Sequence, residues 1–235
     1  MDSGSERSLS RALVVRLGLG TIAALSAGRL EALAATLTGT SVTASEALER
    51  LTAGNRRFVA GSLRNQSGVV ERRLALTQGQ APFATILSCS DSRLPPELVF
   101  DQNIGALFVI RNAGNFVNDA VLGTAEYGYS NLGSKLIVVL GHQSCGAIGA
   151  TYDAIKSDKP LPPHLDAIEK GIESAIAPAV HSHATKDAAS IANAKAQAAK
   201  FASMSSVLAP GISSRDLKVV PAFYHLLSGK VEIFS

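Results

Sequence analysis

Four short apolar runs, each followed by enough chain to return to the start of the next, leave this sequence few ways to fold. They are Phe83–Ser88, Ala106–Ile110, Leu136–Leu140 and Leu217–Phe223. Continuous apolar runs of this length are the mark of strands buried on both faces. Leu136-Ile-Val-Val-Leu140 is the clearest, because β-branched residues pack well on a pleated surface. Helix-like stretches lie between the runs, around Ala120–Leu132, Gly146–Lys156 and the Ala-rich Asp187–Ser206. This order predicts an α/β fold with a mostly parallel central β-sheet covered by α-helices. Two helices are expected ahead of the sheet. Thr43 and Glu46 have the spacing of a capping box, and Leu48, Leu51 and Phe58 give the first helix an apolar side. Val69–Thr77 reads as a second, more polar helix. Leu227–Lys230 predicts a tight turn into a short last strand, Val231–Phe234.

The chain has 235 residues, of which 46% are hydrophobic and 17% charged. That is enough to build a core without disulfide staples, and it excludes intrinsic disorder. Aromatic residues make up 5%, there is no Trp, and the net charge of +3 is not concentrated in any run. Nucleic acid and an anionic membrane are therefore not the expected partners. The first residues read differently. Arg7, Arg11 and Arg16 lead into the uncharged Leu17–Ala27, and a small-residue site follows at 32–35. This is the order of a secretory signal peptide, and the apolar part falls short of the roughly 20 residues of a membrane span. The expected division is a signal peptide over 1–34 and one domain over 35–235 with an N-terminal helical arm. Such a protein would be exported to the periplasm or cell envelope. The alternative is an ordinary amphipathic helix on a cytoplasmic protein.

Chemistry-bearing residues gather where two of the apolar runs end. Cys89 follows the first, inside Cys89-Ser-Asp-Ser-Arg93, while His142 and Cys145 follow the third, inside Gly141-His-Gln-Ser-Cys-Gly146. Ligand sites of open α/β sheets lie just beyond the carboxyl ends of the strands. If the two strands are neighbours, both clusters face one crevice. Two thiolates and an imidazole suit zinc, and three protein ligands leave a fourth position open, as in catalytic zinc sites. Two other readings stand beside this one. The cysteines of an exported protein can oxidise to a disulfide, and a cysteine beside a histidine can act as a nucleophile. The remaining histidines, His164, His181, His183 and His225, read as ordinary loop or surface residues.

The two motifs, with Pro95-Pro96-Glu97 after the first, resemble the signature of the β-class carbonic anhydrases. Phe108–Asn115, Glu126-Tyr127 and Leu217–Phe234 are also similar to that family, so the resemblance covers roughly residues 43–234. It implies one zinc ion per subunit held by Cys89, His142 and Cys145, and reversible hydration of carbon dioxide to bicarbonate and a proton. It implies that Asp91, paired with Arg93, either closes the metal site or accepts a hydrogen bond from the attacking hydroxide. Gln80, Phe108, Ala113 and Tyr127 match the family's substrate pocket. A homodimer or dimer of dimers is implied, with pocket residues shared between subunits. Some members bind bicarbonate at a second site through a Trp, an Arg and a Tyr. Here Ile86 stands in the Trp position and only Arg111 matches, which favours the plant-like, non-allosteric branch. A related zinc hydrolase acting on carbonyl sulfide or carbon disulfide would carry the same ligands. A zinc-binding protein without catalysis is a third possibility, against which Gln80, Asp91 and Arg93 argue.

Overall fold

A computed structural model of the chain describes residues 42–65 and 67–234. The leader expected over 1–34 lies outside the described residues. Helix α1, Ala44–Val59, begins where the sequence predicts. Thr43 accepts the Glu46 N–H and the Glu46 carboxylate accepts the Thr43 N–H, closing the capping box. Helix α2, Val69–Ala75, is shorter than its expected span and ends in a 3₁₀ turn at Leu76–Gln78. Strand β1, Ala84–Cys89, leads to a short helix α3, Pro96–Val99, and to β2, Leu107–Asn112. Helix α4, Asp119–Ser130, precedes β3, Leu136–His142. Three helices follow in succession: α5, Gly146–Ser157; α6, Asp166–His181; and α7, Lys186–Met204. A short α8, Leu208–Ser213, leads to β4, Lys218–Tyr224, and the chain closes on β5, Val231–Ile233.

The sheet has five strands in the order β2-β1-β3-β4-β5. The first four are parallel and β5 is antiparallel, so the expected mostly parallel sheet is what forms. Every residue of β1 and β3 is buried, which explains why both runs are apolar without alternation. Side chains still alternate between two layers. Ile86, Val138 and Leu140 pack with Leu51 of α1, Ile148 of α5, and Ile172 and Ile176 of α6. Leu87, Ile137 and Val139 pack with Val121 and Ala125 of α4, Phe201 of α7 and Leu208 of α8.

Strand order decides where a ligand can sit. The chain leaves β1 toward β2 on one side and continues through β3 and β4 on the other. The gap between β1 and β3 is thus the topological switch point, where open α/β sheets form a crevice at the strands' carboxyl ends. Ser88 pairs with Leu140 in register, so Cys89 and His142 come out together at that end.

Candidate metal centre

Cys89 is the last residue of β1 and His142 the last of β3; Cys145 is the N-cap of α5, one turn beyond. All three are buried, and the His142 side chain is fully so. Their ligand atoms lie within 4.8 Å of one another. The two sulfurs are 3.9 Å apart, and both cysteines are free thiols. A tetrahedral ion with sulfur ligands at about 2.3 Å separates two sulfurs by about 3.8 Å. The pair therefore already has the spacing of a zinc tetrahedron's edge.

His142 supplies the second observation. Its Nδ1 lies 2.9 Å from the Gln143 carbonyl, which fixes the proton there and leaves Nε2 with a lone pair. Nε2 is buried and, among the described residues, accepts no hydrogen bond of normal geometry. A cation shared with the two sulfurs would satisfy this lone pair, which a neighbouring S–H, a weak donor, does only poorly. The donor set thus fits a divalent metal of the zinc type.

The surroundings favour sulfur anions. The Gly114 N–H points at Cys89 Sγ over 3.4 Å. Cys145 caps a helix N-terminus, and the Ala147 and Ile148 N–H groups of the first turn favour its thiolate. The two sulfurs stand close enough for a thiol–thiolate hydrogen bond. The Cys145 thiol hydrogen-bonds to Cys89 and holds the Cys89 thiol far below its ordinary value, with burial working against this. Donation to Cys89 and burial push Cys145 the other way.

Asp91 reaches the same space. Its Oδ1 accepts from the Arg93 backbone N–H and from Nε, each at 2.9 Å, and its Oδ2 accepts from Nη2 at 2.7 Å. The same Nη2 donates to the Ser144 carbonyl at 3.4 Å, tying the pair to the loop between His142 and Cys145. Asp91 Oδ2 stands 4.0 Å from His142 Nε2. The Arg93 hydrogen bonds hold the Asp91 carboxyl well below the usual carboxylate range, burial opposing them.

The predicted pocket residues divide between two places. Ala113 adjoins Gly114 and hence Cys89. Phe108 pairs with Thr85 near the opposite, amino end of β1, and the Tyr127 ring of α4 stacks beside it at 6.1 Å between centroids. Gln80 is exposed on the coil ahead of that same end. Phe83 pairs its N–H with the Ala106 carbonyl, so the chain enters β1 already extended. Phe108, Tyr127 and Gln80 are thus a strand length away from this chain's own ligands. Sequence reasoning did not find Gly114, nor three polar residues of α7, Ser190, Asn193 and Gln197, that bond to the backbone around the ligands. Their spacing of three and four along one face was the available signal.

Known proteins bear on this geometry. The family model described as carbonic anhydrase matches residues 84–231, which include Cys89, Asp91, His142 and Cys145. The carbonic anhydrase of Mycolicibacterium smegmatis is 38% identical over 183 residues, covering 77% of this chain and 89% of that protein. Carbonic anhydrase 2 of Mycobacterium tuberculosis is 48% identical over 116 residues, covering 49% of this chain and 56% of its own. Among solved structures, the beta-carbonic anhydrase CcaA aligns with a TM-score of 0.63 at 27% identity, over 80% of this chain and 87% of that one. A tetrameric beta-carbonic anhydrase of Sordaria macrospora shares the fold, with a TM-score of 0.63 at 24% identity over 69% of this chain and 85% of its own.

Proposed function

We propose, from the premise that this chain belongs to the β-carbonic anhydrase family, that it binds one zinc ion per subunit and hydrates carbon dioxide reversibly to bicarbonate and a proton. The observation that carries this reading is the buried Nε2 of His142, which among the described residues accepts no hydrogen bond of normal geometry, beside two sulfurs at tetrahedral spacing. Cys89, His142 and Cys145 are the ligands. When bound, zinc lowers the pKa of its water toward neutrality and so supplies a nucleophile. The remaining tasks fall to the chain. Arg93 fixes Asp91 in direction and keeps it ionised. Asp91 Oδ2 accepts the hydrogen bond of the attacking oxygen, turning its lone pair toward the substrate carbon. The Gly114, Ala147 and Ile148 N–H groups draw charge from the sulfurs, offsetting the electron donation of two thiolates.

Carbon dioxide is apolar, and its pocket needs apolar walls. Ala113 supplies part of one. Phe108, Tyr127 and Gln80 serve a neighbouring subunit's site, because they stand at the far end of the sheet from their own. Tyr127 is 49% exposed, as expected of a ring awaiting a partner surface. The chain is therefore active as a dimer or a dimer of dimers. Among the described residues no helix is long and apolar enough to cross a membrane. The order of residues 1–34 supports export, which sequencing the N-terminus of the protein from cell envelopes would check.

The test is a paired measurement of metal content and carbon dioxide hydration on purified protein. About one zinc per subunit and catalysed hydration are expected. Cys89→Ser, His142→Ala and Cys145→Ser should each lose both together. Hydration by the parent without bound metal would overturn the reading.

A further inference from the structure

Helix α7 carries polar residues on its buried face. Ser190, Asn193 and Gln197 are almost wholly inaccessible and follow one another at the spacing of a single helical face. Their neighbours Ala189, Ala194, Ala198 and Phe201 are apolar and buried. Polar groups persist in such places when they are bonded. Here two of the partners are the backbone carbonyls of His142 and of Gly114, whose N–H meets Cys89. Ser190 Oγ donates to the His142 carbonyl at 3.1 Å. Asn193 Nδ2 donates to the Gly114 carbonyl at 2.9 Å. Gln197 Oε1 accepts the Val117 N–H at 2.9 Å, and its Nε2 donates to Asn193 Oδ1 at 3.0 Å and to the Gly171 carbonyl at 2.9 Å. By occupying the Asn193 oxygen, Gln197 turns the Asn193 amide so that its nitrogen faces Gly114.

The segment so held is one that few sequences could form. Gly114 has φ +84°, and a Cβ there would lie 2.4 Å from Ile172 Cδ1. A Cβ on Gly141 would meet the Ser190 carbonyl oxygen at 3.2 Å and Ser190 Oγ at 3.3 Å, so α7 rests directly on β3 one residue before His142. The Gly114 residue is thus gripped at its carbonyl by Asn193, while its N–H is aimed at Cys89 Sγ.

We infer that Ser190, Asn193 and Gln197 are positioning residues of the metal centre, a buried template that sets the direction of the Gly114 N–H toward Cys89 and the seat of His142. This rests on the reading of Cys89, His142 and Cys145 as ligands and extends it to α7. Losing Asn193 frees the Gly114 carbonyl, and the N–H swings away from the sulfur. Losing Ser190 frees the His142 carbonyl and loosens the ring's approach.

The test uses the full chain loaded with zinc, and in parallel with cobalt(II), whose thiolate charge-transfer and visible bands report the ligand geometry. Asn193→Ala should show altered cobalt bands and release zinc to a chelator about 10- to 100-fold faster than the parent. Ser190→Ala should move both readouts in the same direction by less. Phe201→Leu, on the same helix but in the apolar cluster with Ile137 and Val139, is the control for lost stability. It should lower Tm and leave bands and release unchanged. If Asn193→Ala does not fold, Asn193→Ser and Ser190→Ala decide. A parent that takes up neither metal would defeat the ligand reading, and the inference with it. A parent that takes up both, with Asn193 and Ser190 variants indistinguishable from it, would overturn the inference alone. So would a Phe201→Leu protein that changes as much as they do.

Discussion

Arg93 touches none of the proposed ligand atoms, yet it governs what Asp91 can do beside them. Three hydrogen bonds from one residue leave the carboxylate a single direction, with Oδ2 turned toward His142 Nε2. Arg93→Ala removes two of the three. The freed carboxylate would no longer be held off Cys89, His142 and Cys145, and would be able to join them as a fourth ligand to a bound metal. The variant is expected to keep its zinc and to lose hydration activity by on the order of 10²-fold, the usual effect of one preorganised catalytic hydrogen bond. Arg93→Lys should not restore it, because a point charge cannot reproduce the fork. Metal analysis and hydration rates across pH check both. Parental rates in Arg93→Ala would reduce the pair to a clasp on the loop.

Helices α1 and α3 are joined with little tolerance. A Cβ on Gly54 would lie 1.7 Å from the Phe100 carbonyl oxygen. Gly54→Ala must push the two helices apart and should cost about 3 kcal/mol, read by denaturant unfolding. Asp101, fully buried and next to α3, makes the second join. It accepts from Arg57 Nε and from the Arg64 and Asn65 backbone N–H groups. Burial pushes its carboxyl up, but those donors prevail and hold it below the ordinary range. A lowered value in the folded state adds stability that is present above the unfolded value of about 3.9 and is lost as pH falls through the folded one. Asp101→Asn should therefore cost about 2 kcal/mol at pH 7, and the gap to the parent should shrink below about pH 4. The sequence was most legible where one element ended in a motif. The strands, the Thr43 box and the Cys89, Asp91, Arg93, His142 and Cys145 positions were all readable because each is local. Helix α6 was not, although Ile168, Ile172, Ile176 and Val180 recur every four residues, because Gly171 and Pro178 interrupt it and prolines precede it. The polar face of α7 was hidden for another reason. Ser, Asn and Gln on an Ala-rich helix look like its solvent side until the loop they bind is known.

Across the whole molecule, the division of the pocket makes a stringent prediction. If each site draws its ligands from one subunit and Gln80 from another, two defective chains can repair each other. Cys89→Ser and Gln80→Ala homodimers should each be inactive or nearly so. Co-expressed, they should form mixed dimers in which one site has intact ligands facing an intact Gln80. Random pairing would restore roughly a quarter of parental sites in a two-fold dimer. No recovery in purified mixed dimers would place Gln80 outside the neighbour's site. A last consequence comes from the pairing of β1 with β3. Ser88 opposite Leu140 is the register that brings Cys89 and His142 out together, and the two ligands lie far apart in the chain. A slip of one residue would turn Cys89 to the opposite face. An ion held by both residues would thus report on the folded product: a chain whose β1 and β3 had paired out of register could not load it, however much metal was supplied.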